Sequence, residues 1–159
     1  MAVEVGKQAP DFTLNNQDGN AVSLADFHGK RNVVLVFYFT AFSGICAKEL
    51  QELQGAAAEV AQKDAQVLLI SCDSRWTLNA FKQREGFAQT LLSDWWPHGA
   101  VAKQYGVFDE NLGGAKRATF VVDRQGVVLY KKVNEIPQGR NVEDYLQALA
   151  TCPLPGLWT

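Results

Sequence analysis

Ser43 and Cys46 stand three residues apart, with Gly44 and Ile45 between them. A thiol at this distance from a hydroxyl can act as a sulfur nucleophile, because the hydroxyl can donate a hydrogen bond that favours the charged sulfur. Ahead of the pair, Val33–Phe39 is an unbroken apolar run rich in β-branched and aromatic residues. Such a run predicts a strand covered on both faces. Behind the pair, Ile45, Leu50, Leu53, Ala57, Val60 and Ala61 recur at helical spacing, in steps of three and four from Leu50 on, which predicts a helix over Gly44–Lys63. Ser43 then takes the N-cap position, Gly44 the first helical position and Cys46 the third. The unpaired N–H groups and the positive dipole end of a first helical turn favour an anion, and a thiolate is one. The cysteine thus sits where a central strand gives way to a helix, the place where open α/β sheets put their chemistry.

The surrounding pattern supplies the elements that must hold this junction. Gly6–Leu24 reads as a hairpin turning at Asn15–Asn20, and Ala25–Asn32 as a surface link into the central strand. Gln66–Cys72 is a second buried strand, so strand, helix and strand form a parallel, right-handed βαβ unit. Asp73-Ser74 caps a helix over Arg75–Glu85 that stops at Gly86. Leu91–Ser93 is a short extended piece, Val101–Tyr105 a short helix and Phe108–Lys116 a loop. Ala118–Asp123 and Val127–Val133 flank Arg124-Gln125-Gly126 as a hairpin. Asn141 caps a last helix whose apolar face is Val142, Tyr145, Leu146 and Leu149, and Cys152–Thr159 is an irregular tail. The predicted architecture is α/β, a central mixed sheet flanked by helices, in one domain over 1–159.

With 159 residues, 47% of them hydrophobic and 20% charged, the chain is long enough to bury a sizeable core. A net charge of −2 offers no general attraction to nucleic acid or to an anionic membrane. No apolar run is long enough to span a bilayer and the first residues lack a signal core, so the expected location is cytoplasmic. Three cysteines without C-x-x-C spacing, and two distant histidines, predict neither a disulfide framework nor a metal site, and no cofactor is expected.

Phe42-Ser43-Gly44-Ile45-Cys46 resembles the active-cysteine loop of the peroxiredoxins, the alkyl hydroperoxide reductase and thiol-specific antioxidant family, in which a Pro-x-x-x-Thr/Ser-x-x-Cys pattern carries the reactive thiol. The resemblance extends to Ala9–Leu14, Leu92–Asp94 and Arg117–Asp123, while Trp96–Val101 and Tyr105–Phe108 are similar to the one-cysteine, AhpE-type branch. It implies a thioredoxin-like fold with an N-terminal hairpin extension. It further implies a peroxidase in which Cys46 attacks a hydroperoxide and becomes a sulfenic acid, with Ser43 and Arg117 positioning the peroxide. Phe39, Phe42, Gly44, Ile45 and Glu49 would shape the loop, with Glu49 a solvated or loop-anchoring carboxylate able to bind Arg117. The reductant would be an external thiol or a thioredoxin- or glutaredoxin-type protein, and the assembly a homodimer packed near the site through Trp95, Trp96, Pro97 and His98. This sequence departs from the pattern at Phe39, which stands where the family has proline.

Read alone, Arg117 is a surface arginine in a loop; the resemblance places it beside the sulfur, where its removal would cost rate far more than stability. Cys72, at the end of an apolar strand, reads as a core thiol. Cys152-Pro153, in the tail, resembles the resolving cysteine of two-cysteine peroxiredoxins and is a candidate for that role, whereas the one-cysteine resemblance implies no resolving residue there. Two rivals stand beside the peroxidase. A thioredoxin-like thiol–disulfide exchanger would need a second cysteine where Ser43 stands. A redox sensor or chaperone built on the same fold would need no peroxide turnover.

Overall fold

The computed structural model describes residues 3–134 and 147–148. The N-terminal hairpin forms as expected: β1 (Thr13–Asn16) pairs antiparallel with β2 (Ala21–Ser23) around the polar turn. A single 3-10 turn, Leu24–Phe27, follows, and its buried Leu24 pins the link to the sheet.

The apolar run becomes β3 (Asn32–Phe37), buried at every position. Its side chains alternate between two cores: Val34, Val36 and Tyr38 lie on one face of the sheet, and Val33, Leu35 and Phe37 on the other. That two-sided burial is why the run shows no polar alternation. The strand ends at Phe37 rather than at Phe39, which leaves residues 38–43 as the connection to the next helix.

The helix expected over Gly44–Lys63 is two helices, α1 (Gly44–Gly55) and α2 (Ala57–Gln62), broken at Ala56 with φ −95° and ψ 6°. Gly55 explains the break, since glycine is about 1 kcal/mol poorer than alanine in a helix interior. Next come β4 (Ala65–Ser71), α3 (Arg75–Glu85), β5 (Thr90–Ser93) and α4 (Ala100–Gln104). The cap of α3 is as predicted: Ser74 accepts from the Thr77 N–H, and Gly86 closes the helix at φ 72°.

The loop expected over Phe108–Lys116 contains a small hairpin, β6 (Phe108–Asp109) against β7 (Gly114–Ala115). It is followed by β8 (Arg117–Val122) and β9 (Val128–Asn134), antiparallel across the predicted turn. The main sheet runs β2-β1-β5-β4-β3-β8-β9, with β3, β4 and β5 parallel to one another. The C-terminal ends of β3, β4 and β5 therefore share one edge. Because β8 is antiparallel to β3, with Phe37 opposite Ala118, the start of β8 reaches the same edge.

Of the last predicted helix, only Gln147 and Ala148 are among the described residues, and both are helical. The positions from Glu135 to Leu146, and those from Leu149 onward including Cys152, lie outside them. Among the described residues, no helix is long and apolar enough to cross a membrane.

Candidate functional site

Cys46 occupies the first turn of α1, buried with only 3% exposure, in the core cluster that also holds Tyr38, Ala41, Leu50, Leu53 and Phe81. Ser43 has the extended backbone of an N-cap, and its carbonyl accepts from the Ala47 N–H at 2.9 Å. The expected side-chain cap is not made. Ser43 closes the helix through its backbone, and its hydroxyl is not engaged at the helix end. Gly44, exposed, is the first residue of α1 and Ile45 the second; the Ile45 side chain is outside what is described.

Arg117 is not on a surface loop. It is the first residue of β8, 2% exposed, and it forms an ion pair with Glu49. Nor is Glu49 solvated: it is buried and anchors the guanidinium. Glu49 follows Cys46 by three positions, so the two side chains project from one face of α1. The pair thereby fastens Arg117 to the helix face that carries the thiol. This link joins the two residues expected to bind each other, and its burial changes the expectation that removing Arg117 would cost rate far more than stability. Breaking a buried ion pair by removing one partner typically costs about 3–5 kcal/mol, so stability suffers along with any rate.

Phe42 carries a left-handed φ of 66°, uncommon for an aromatic residue. Its ring lies on α3, 5.2 Å from the Phe81 centroid, with the Arg84 guanidinium 5.4 Å from it. Phe39, half-buried, lies over Gly114, where a Cβ would come within 2.9 Å of its ring. The same ring lines two cavities. One, of about 380 Å³, is bounded further by Asp109, Leu112, Ala115, Lys116, Arg117, Val133 and Asn134. The other, of about 250 Å³, is bounded by Thr40, Cys72, Asp73, Trp95 and His98 among others.

Two residues without a predicted role in the site join this edge. Tyr38 is buried, and burial raises its hydroxyl well above the ordinary value; the charges of Asp73 and Cys46 add to this and Ser71 opposes it. Asp73, expected as part of a helix cap, instead turns its carboxylate toward the β3–α1 connection. It accepts from the Thr40 hydroxyl at 2.9 Å and the Ala41 N–H at 2.8 Å. The parallel register of β3 and β4 is the signal that could have found it, because it sets the residues after Ser71 beside those after Phe37.

Cys72 follows β4 and is buried, as its apolar flank predicted. Its thiol is pushed up to about 12, first by burial and then by the charges of Asp94 and Asp73. Asp94 is buried too, which raises its carboxyl, while the Ala102 and Val101 N–H groups that it accepts from hold it down. Of the Trp-Trp-Pro-His cluster, Trp95 and Trp96 are exposed, at 52% and 83%. His98 is half-buried, with Nε2 2.6 Å from the Gly113 carbonyl oxygen. Among the described residues, no group of His, Cys, Asp or Glu side chains is gathered so as to hold a metal ion.

A thiol on the first turn of the helix that follows a central strand, in a sheet extended by an N-terminal hairpin, defines a thioredoxin-like protein of the peroxiredoxin class. Solved structures share the frame. The peroxidoxin BcpB of Mycobacterium tuberculosis superposes with a TM-score of 0.85 at 32% identity, covering 93% of this chain and 97% of that one. The reduced 2-Cys peroxiredoxin of Plasmodium vivax does so at 0.82 and 30%, covering 92% and 80%. The alkyl hydroperoxide reductase E of Mycobacterium tuberculosis is 42% identical over 148 residues, 93% of this chain and 97% of that protein. The chain belongs to the AhpC/TSA family, whose model matches residues 5–131. It is an enzyme, an oxidoreductase of the peroxiredoxin type.

Proposed function

We propose that this chain reduces hydrogen peroxide and organic hydroperoxides through Cys46, within one domain spanning 1–159. The observation that carries the reading is the buried Arg117–Glu49 pair on the Cys46 face of α1. It holds a fixed cation toward the helix face that carries the thiol. In the reaction the Cys46 thiolate attacks one peroxide oxygen. An S–O bond forms, the O–O bond breaks, and sulfur is oxidised by two electrons to the sulfenic acid. The other oxygen leaves with a proton as water or alcohol. Ser43 and Arg117 orient the peroxide and stabilise the charge that develops on it. Phe39 and Phe42 belong to the connection around it, and Gly44 and Ile45 open the helix that follows.

An external thiol, free or on a thioredoxin- or glutaredoxin-type protein, then condenses with the sulfenic acid and expels water. A second thiol releases Cys46 from the mixed disulfide. Cys152 is the candidate resolving residue should the thiol that condenses with the sulfenic acid be internal. The working form is a cytoplasmic homodimer joined near the site through Trp95 and Trp96.

The test is the intact mass after one equivalent of hydrogen peroxide, with a sulfenate trap and non-reducing peptide mapping. One trapped sulfenate at Cys46 supports a one-cysteine peroxidase. A Cys46–Cys152 disulfide makes it a two-cysteine enzyme. Reduced Cys46 in persisting peroxide ends the reading and leaves the sensor or chaperone alternative.

A further inference from the structure

The connection that delivers Ser43 and Cys46 contains no residue that fixes its own backbone. A proline at 39 would lock φ near −65°; phenylalanine leaves it free. Something else must set the path of residues 38–43, and the hydrogen bonds identify it. Asp73 Oδ1 accepts from Thr40 Oγ1 at 2.9 Å. Asp73 Oδ2 accepts from the Ala41 N–H at 2.8 Å and from Ser71 Oγ at 2.7 Å. The Asp73 backbone is itself anchored, since the Ser93 hydroxyl donates to its carbonyl at 2.6 Å. Asp73 therefore ties the end of β4 through its carboxylate, and the end of β5 through its carbonyl, to the two residues just ahead of the left-handed turn at Phe42.

We infer that Asp73 is a positioning residue for the Cys46 chemistry, setting the register of the loop so that Ser43 and the sulfur face Arg117 together. The inference rests on the peroxidase reading above. It separates loop placement from helix placement. Helix α1 has its own anchors in the Glu49–Arg117 pair and in buried Leu50 and Leu53. Loss of the carboxylate should leave the thiol in place and loosen the loop around it. Attack on a peroxide requires the sulfur, Ser43 and Arg117 to meet the same O–O bond. Alkylation by iodoacetamide requires only the sulfur.

The experiment compares these two reactions at Cys46 in the full chain, by stopped-flow with hydrogen peroxide and by peptide mass after timed alkylation. Asp73→Asn is expected to slow the peroxide reaction roughly tenfold to a hundredfold, the scale of a misplacement near 1 Å. Alkylation should stay within about twofold of the unsubstituted protein. Adding Phe39→Pro, which restricts the loop by another route and removes no ladder bond because β3 ends at Phe37, should recover most of the lost rate. Should Asp73→Asn fail to fold, Thr40→Val removes one donor alone and is expected to show the same split with a smaller loss. An unchanged peroxide rate, a parallel fall in both reactions, or no recovery on adding Phe39→Pro would overturn the role of Asp73. An unsubstituted protein whose Cys46 alkylates but ignores peroxide overturns the peroxidase reading itself.

Discussion

Glu49 and Cys72 show how burial assigns work to side chains that look ordinary in the sequence. Glu49 is buried only because Arg117 meets it, and an unpaired buried guanidinium is costly. Glu49→Ala is therefore expected to lower stability by about 3–5 kcal/mol in urea titrations and to slow Cys46 oxidation in the fraction that remains folded. Cys72 has the opposite character. Its thiol is held up to about 12 from an ordinary 9.0, so the folded protein keeps a proton that the unfolded chain has released. That preference costs stability progressively as the pH rises from about 9 toward 12, and nothing below that window. Urea midpoints measured from pH 8 to 11 should fall, and Cys72→Ala should flatten the first part of the decline. The buried Tyr38 and Tyr105 hydroxyls, both raised chiefly by desolvation, extend it at higher pH. At neutral pH the same thiol should resist alkylation while Cys46 reacts.

Among the helices and strands, local signals and tertiary contacts have separable effects. Helix α3 begins on a Ser74 cap and ends on a left-handed Gly86, both set by short-range chemistry. Ser74→Ala should cost about 1 kcal/mol, read as a shifted urea midpoint with unchanged slope. The short hairpin of β6 and β7 answers to packing instead. Gly114 lets the Phe39 ring lie against the backbone, and a Cβ there would stand 2.9 Å from ring carbons. Gly114→Ala must push the ring into one of its two cavities. It is expected to change the peroxide rate more than the melting temperature, whereas equal effects on both would make Phe39 a packing residue only.

For the assembled protein, the exposed Trp95 and Trp96 form an apolar surface beside the edge that carries Cys46. If the dimer forms there, Trp96→Glu should convert it to monomer in light scattering at micromolar concentration. A dimer that survives the change places the interface elsewhere. The α1 face and the Asp73-anchored loop are built within one chain, so the monomer should still form a sulfenate at Cys46.

The presence, though not the ends, of the strand and helix either side of Ser43 and Cys46 could be read directly, as could the α3 caps and the β8–β9 turn. Each depends on hydrophobic period or on chemistry within four residues, which a linear chain displays. The resemblance carried by residues 42–46 and 117–123 named the family for the same reason. The partners of the site could not be read this way. Glu49 and Arg117 are 68 positions apart, Thr40 and Asp73 are 33, and Phe39 and Gly114 are 75. Nothing in the intervening chain records that β3 has β4 on one side and β8 on the other. That sheet order decided whether Arg117 was a solvent-facing arginine or a buried cation, and whether Asp73 capped a helix or held a loop. Burial and ion pairing depend on which distant segments the sheet brings to one edge, and only the folded chain specifies that.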